Sequence, residues 1–92
     1  MRKKLLYYTA KWCGPCRMFK PVILALINEG YNIEIIDVDE NVSEAKERRV
    51  SSVPTLIFTE KNKQDRRFSG AMPPDQIKSE LEDGGKYETI DV

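Results

Sequence analysis

Two hydrophobic rhythms run along this chain. Leu5, Leu6, Tyr7 and Tyr8 form an apolar run without a polar break, the signature of a strand buried on both faces. Over residues 15–29 the rhythm changes. Phe19, Val22, Ile23, Leu26 and Ile27 fall at i, i+3, i+4, i+7 and i+8, the stripe of a helix that lies on a sheet, and Gly30 is placed to stop it. Pro21 sits inside that helix, where it removes a backbone bond and bends the axis, at a cost of about 3 kcal/mol in an ordinary helix. Residues 33–38 predict a second strand, closed by Asp37 and Asp39. Asn41 and Glu44 have the spacing of a capping pair, so a short helix is expected to about Arg48. Arg48 and Arg49 then stand at its C-terminal end, where positive charge suits the dipole. Residues 55–59 are a third strand, apolar at Leu56, Ile57 and Phe58. A hairpin turn at 61–64 leads to a polar strand over 65–69 whose one large apolar residue is Phe68. The last helix spans 74–82, with Ile77 and Leu81 inward and Gly84-Gly85 beyond its end.

Strand character orders the sheet. Wholly apolar strands belong at the centre and charged ones at the edges, which puts the first and third strands inside and gives the order 2-1-3-4. The expected fold is α/β, a β-α-β-α-β-β-α unit on a four-stranded mixed sheet, occupying residues 1–83. Residues 84–92 form a tail. In it Tyr87, Thr89 and Asp91 alternate with Glu88, Ile90 and Val92, the pattern of an extended segment docked against the domain; the competing reading is a frayed end after Gly84-Gly85. No internal repeat or low-complexity stretch is present.

Composition narrows the function classes. Lysine and arginine number 15, as do aspartate and glutamate, so no net field draws the chain to nucleic acid or to an anionic membrane. Ninety-two residues make one domain with a modest core, expected to be a monomer. No run is long enough to span a bilayer. Met1-Arg2-Lys3-Lys4 resembles the start of a secretory leader, but the apolar stretch behind it is short and runs into Cys13. The cytoplasm, where thiols are kept reduced, is therefore the expected location.

The chemistry lies in Trp12-Cys13-Gly14-Pro15-Cys16, which holds both cysteines of the chain. A C-x-x-C between a strand and a helix is the arrangement of a dithiol redox centre. The unpaired N–H groups and positive dipole of a helix's first turn favour a thiolate there. Cys13 is expected at the cap, exposed and acidified, with Cys16 one turn in and shielded. Gly14 lets the chain turn without a Cβ, and Pro15 suits the first helical position. Two bland readings compete. A structural disulfide closing so short a loop constrains the unfolded chain little. A zinc site needs four ligands, and the sequence has no histidine and no third cysteine. No metal and no bound cofactor are expected, only a redox-active Cys13–Cys16 disulfide.

Trp12 to Cys16 resembles the active-site motif of the thioredoxin family. Arg17 after the second cysteine, Pro21 further on, Val53-Pro54-Thr55 and Gly70 are similar to family features over most of the chain. The resemblance implies a thioredoxin-like fold and a cis bond before Pro54. It also implies a substrate groove formed by Trp12, Gly14, Pro15, Val53, Pro54, Gly70 and Ala71, with Val53 offering backbone groups to an extended segment of a partner. Pro21 would separate the dithiol turn from the rest of its helix. One departure stands out. Six positions before Cys13, where the family keeps a buried aspartate, this chain has Tyr7; the family's neighbouring lysine is replaced by Ile35. The sequence as given begins at the strand before the motif, a size and plan nearer a glutaredoxin's.

The implied activity is thiol–disulfide oxidoreductase: electron transport in cell redox homeostasis, with Cys13 as nucleophile and Cys16 as resolving thiol. Disulfide-containing proteins are the expected substrates, and an NADPH-dependent thioredoxin reductase the expected source of electrons. The runner-up is a glutaredoxin-like donor, for example to ribonucleotide reductase, recharged by the glutathione system. A third reading makes the chain a thioredoxin-fold binding subunit whose redox state is incidental.

Overall fold

A computed structural model describes residues 3–82 of the chain. Its elements are β1 (Lys3–Thr9), α1 (Gly14–Asn28), β2 (Ile33–Asp37), α2 (Val42–Glu47), β3 (Thr55–Glu60), β4 (Arg66–Ser69) and α3 (Pro74–Leu81). The expected docking of the tail falls outside the described residues. The four strands lie in the order β2-β1-β3-β4. β1 runs parallel to β2 and antiparallel to β3, and β3 antiparallel to β4. Strand character therefore predicted both the centre and the edges.

Side chains on a strand alternate between faces, and the core divides accordingly. On one side Leu5, Tyr7, Leu56 and Phe58 meet Phe19, Ile23 and Leu26 of α1 and Ile77 and Leu81 of α3. Tyr7 and Phe19 pack edge to face at 5.6 Å between centroids, and Phe58 and Phe68 at 5.8 Å, contacts that add to the burial of the rings. On the other side Leu6, Tyr8, Ile36 and Ile57 form a smaller cluster, joined by Val38, Val50 and Val53.

Two local expectations are corrected. Asn41 does stand before α2, but its side chain accepts no bond from the helix; its Nδ2 donates instead to the Asp37 carbonyl at 3.0 Å. Glu44, the other half of the expected capping pair, accepts the Tyr8 hydroxyl at 3.0 Å. For Glu44 a partner distant in sequence takes the place of the local one. Ile27, expected inward, is 36% exposed. The buried stripe of α1 is the narrower Phe19–Ile23–Leu26 line, and Ile27 lies past its edge. Pro21 does fall within α1. Gly30, at φ 104°, ends it in the left-handed region that a glycine enters without strain.

α2 ends differently. Arg49 takes φ 58°, uncommon for a residue with a side chain. The Arg67 guanidinium of β4 donates to the carbonyls of both Arg48 and Arg49. A positive group on carbonyls that helices leave unpaired is favourable. Because Arg67 pairs in register with Ile57, this contact ties the end of α2 to the strand behind Pro54.

Candidate dithiol site

Cys13 is the N-cap of α1 and Cys16 lies in its first turn, with Pro15 at the start of the helix. The two cysteines are joined as a disulfide, with Cα atoms 5.2 Å apart. The Cys16 amide donates to Cys13 Sγ at 3.1 Å, and α1 carries no acidic residue in its first turn. A sulfur held there faces unpaired N–H groups and the positive end of the helix dipole, which favour its thiolate in the reduced form. Arg17 reaches back to donate to the Lys11 carbonyl at 2.9 Å, closing the turn between β1 and α1.

Both cysteines are buried, Cys13 to 5% exposure and Cys16 to 1%. The expected ordering is present, but Cys13 is not the open residue anticipated from the sequence. Its cover comes from a distant part of the chain. The Val53 carbonyl oxygen lies 3.7 Å from Cys13 Sγ, and Val53 and Val38 pack against the cluster of Ala10, Cys13 and Cys16. The bond between Val53 and Pro54 is cis, and Pro54 is buried. The Gly70 amide donates to the Pro54 carbonyl at 2.8 Å, so the start of β3 and the end of β4 are held together beside the disulfide. Gly70 does this at φ 91°, where any other residue would be strained. Gly14 is different. Its φ is not in that region, and a Cβ there would meet nothing within 4 Å, so the turn itself does not demand a glycine.

Of the remaining residues expected in the groove, Trp12, Pro15 and Ala71 are exposed and Gly14 is half-buried. Trp12 is 66% exposed, yet its position is fixed: Nε1 donates to Asp39 Oδ2 at 2.8 Å. Asp39 was not singled out in the sequence beyond its place at the end of β2. The available signal was topological. In open α/β sheets, sites form beyond the carboxyl ends of parallel strands, and Trp12 and Asp39 follow the carboxyl ends of two parallel neighbours.

Tyr7 and Ile35 are in register across β1 and β2, as the alignment with the family implied. Tyr7 is fully buried and donates its hydroxyl to the Cys16 carbonyl at 3.4 Å. Burial pushes its pKa above the usual tyrosine value, and a hydrogen bond with Thr9 offsets this in part. A cleft of about 580 Å³ is lined by Cys16 together with Thr9 of β1 and Ile35 and Asp37 of β2.

A family model described as Thioredoxin matches residues 1–83. A thioredoxin of Chlamydia trachomatis is 37% identical over 75 residues, covering 79% of this chain and 74% of the relative. Thioredoxin H2 of Arabidopsis thaliana is 38% identical over 66 residues, 70% of this chain but only 50% of that protein. Among solved structures, a mutant thioredoxin from Halobacterium salinarum superimposes with a TM-score of 0.78 at 33% identity, covering 87% of this chain and 72% of that one. Fasciola hepatica thioredoxin gives 0.76 at 33% identity, with 87% and 78% covered.

Proposed function

Since the chain belongs to the thioredoxin family, we propose that it is a protein-disulfide reductase working by dithiol exchange through Cys13 and Cys16. The observation that carries this reading is the placement of Cys13 Sγ. It sits at a helix N-cap, accepts the Cys16 amide, and lies beside the Val53 carbonyl. In the reduced protein the Cys13 thiolate attacks a sulfur of the substrate disulfide, forming a mixed disulfide and releasing one substrate thiolate. Cys16 then attacks Cys13 Sγ. The second substrate thiol leaves, and the Cys13–Cys16 disulfide is the product. Two electrons have passed to the substrate. An external reductant must return them, and an NADPH-dependent thioredoxin reductase is the proposed source.

Trp12, Gly14, Pro15, Gly70 and Ala71 form the proposed docking surface around Cys13, with Val53 supplying backbone groups and Pro54 the floor. An extended substrate segment satisfies its own backbone polar groups by pairing with the Val53 peptide, as in strand addition. This explains the value of Gly14, whose missing side chain leaves room for a partner rather than relieving the turn. Among the described residues no helix is long and apolar enough to cross a membrane, and we place the reaction in the cytoplasm on redox grounds.

The test is insulin reduction, run in parallel with thioredoxin reductase plus NADPH and with glutathione plus glutathione reductase. Turnover with the first system alone supports the proposal. Turnover with glutathione alone overturns the proposed recharging and favours the glutaredoxin-like reading. Full activity in the Cys13→Ser variant would sink dithiol exchange altogether and leave the binding-subunit reading.

A further inference from the structure

For Cys16 to attack, its thiol must lose a proton, and Cys16 is 1% exposed. Tyr7, the polar side chain beneath it, does not take that proton. Its hydroxyl is already neutral, donates to the Cys16 carbonyl, and is held protonated by burial. The proton must leave by another path, and the cleft that Cys16 lines provides one. Cys16, Thr9, Ile35 and Asp37 line it, together with Lys20 and Glu40.

The β1–β2 register sets Asp37 opposite Thr9, and strand alternation puts it on the same face as Ile35 and Tyr7, the face that α1 covers. Its carboxylate is oriented. Oδ1 accepts the Asp39 amide at 2.8 Å and the Glu40 amide at 3.3 Å, while Oδ2 has no hydrogen bond among the described residues. The other carboxylate in the cleft, Glu40, is exposed and engaged with Lys11 Nζ at 3.4 Å. The remaining charged residues that line the cleft are Lys20 and Arg17 on α1, and Lys11 in the turn before it. A cleft of this volume with so polar a lining is roomy enough for water.

We propose that Asp37 receives the Cys16 proton, relayed by water in this cleft, when Cys16 resolves the mixed disulfide. The inference rests on the dithiol-exchange reading above. In the step, the Cys16 thiol gives its proton to a cleft water, which passes one to Asp37 Oδ2. The Cys16 sulfur bonds to Cys13 Sγ as the bond from Cys13 to the substrate breaks, and the electron pair of that bond leaves on the substrate thiolate. Asp37 then returns its proton to bulk water through the mouth of the cleft. Asp37 is thus a positioning and proton-accepting residue that never touches the sulfurs.

Stopped-flow reaction of the reduced full chain with 5,5′-dithiobis(2-nitrobenzoate) separates the two steps. Cys13 releases the first thionitrobenzoate in a second-order phase, and Cys16 releases the other in a first-order phase. Asp37→Asn keeps the Oδ1 acceptor that holds the turn but cannot take a proton. The expected result is a second phase slowed about a hundredfold at neutral pH, at the lower edge of what a positioned base contributes, with the first phase unchanged. The gap should close in alkaline buffer, where hydroxide removes the thiol proton directly. Glu40→Gln should leave both phases as they are. An unchanged second phase in Asp37→Asn overturns the proposal, and so does a loss in both phases that alkali does not restore, which would mark a structural role. Absence of a second phase in the native protein is a different failure, that of the dithiol reading itself.

Discussion

The two faces of the sheet are built unequally. On the α1/α3 side, two helices cover Leu5, Tyr7, Leu56 and Phe58 with Phe19, Ile23, Leu26, Ile77 and Leu81. On the other side, the six residues of α2 bring only Ala45 into the buried set, and Leu6, Tyr8, Ile36 and Ile57 are covered with the help of loop residues Val50 and Val53. The dithiol turn is anchored on the thick face, through α1. The Val53-Pro54 segment is anchored on the thin one. One wall of the site is therefore tied to the larger buried cluster, and the other to a smaller one. This division suits the proposed dithiol exchange, in which the sulfurs keep their place while a substrate segment docks beside Val53.

Substitutions matched across the two faces test the division. The largest expected effect is on the thick face. Ile23→Ala, at a fully buried position between α1 and the sheet, should cost about 4 kcal/mol, read as a drop in the denaturation midpoint, while activity per folded molecule stays near normal. On the thin face Ile57→Ala should cost less, about 3 kcal/mol, because Val50 and Val53 can collapse partway into the space. It should nonetheless raise the KM for a protein disulfide more than Ile23→Ala does. Equal KM values in the two variants would break the comparison.

Smaller effects attach to the Tyr8 hydroxyl, which joins the thin face to α2 through Glu44. Tyr8→Phe should cost about 1 kcal/mol, the usual worth of one such bond, measured by urea titration near neutral pH. The same hydroxyl also gives the fold a pH dependence. Burial, and then the bond to Glu44, raise the Tyr8 pKa from 10.0 to about 12. A group whose folded pKa is raised contributes stability that is complete below its unfolded pKa and lost as pH climbs through the folded one. Native protein should therefore lose more stability than Tyr8→Phe between pH 10 and about 12. Parallel curves for the two proteins across that window would show that Tyr8 is not the group responsible.

Much of this molecule is set by local pattern. The apolar runs at β1 and β3, and the charge on β4, determine which strands are central, because an edge tolerates polar residues and a centre does not. The motif from Trp12 to Cys16 determines the chemistry, because sulfur at a helix start meets unpaired donors wherever that helix packs. Tertiary structure decided what depends on meetings between distant residues. Burial of Cys13 requires the Val53 loop, which no local rule brings to the cap. The expected Asn41–Glu44 capping pair lost Glu44 to the Tyr8 hydroxyl, a partner from across the fold. Trp12 is fixed by Asp39, and Asp37 shares a cleft with Cys16, because the β1–β2 register places those turns side by side. Hydrophobic periodicity reports which face a residue occupies. It carries no information on which polar group, far away in the chain, will satisfy it, and that choice belongs to the three-dimensional packing.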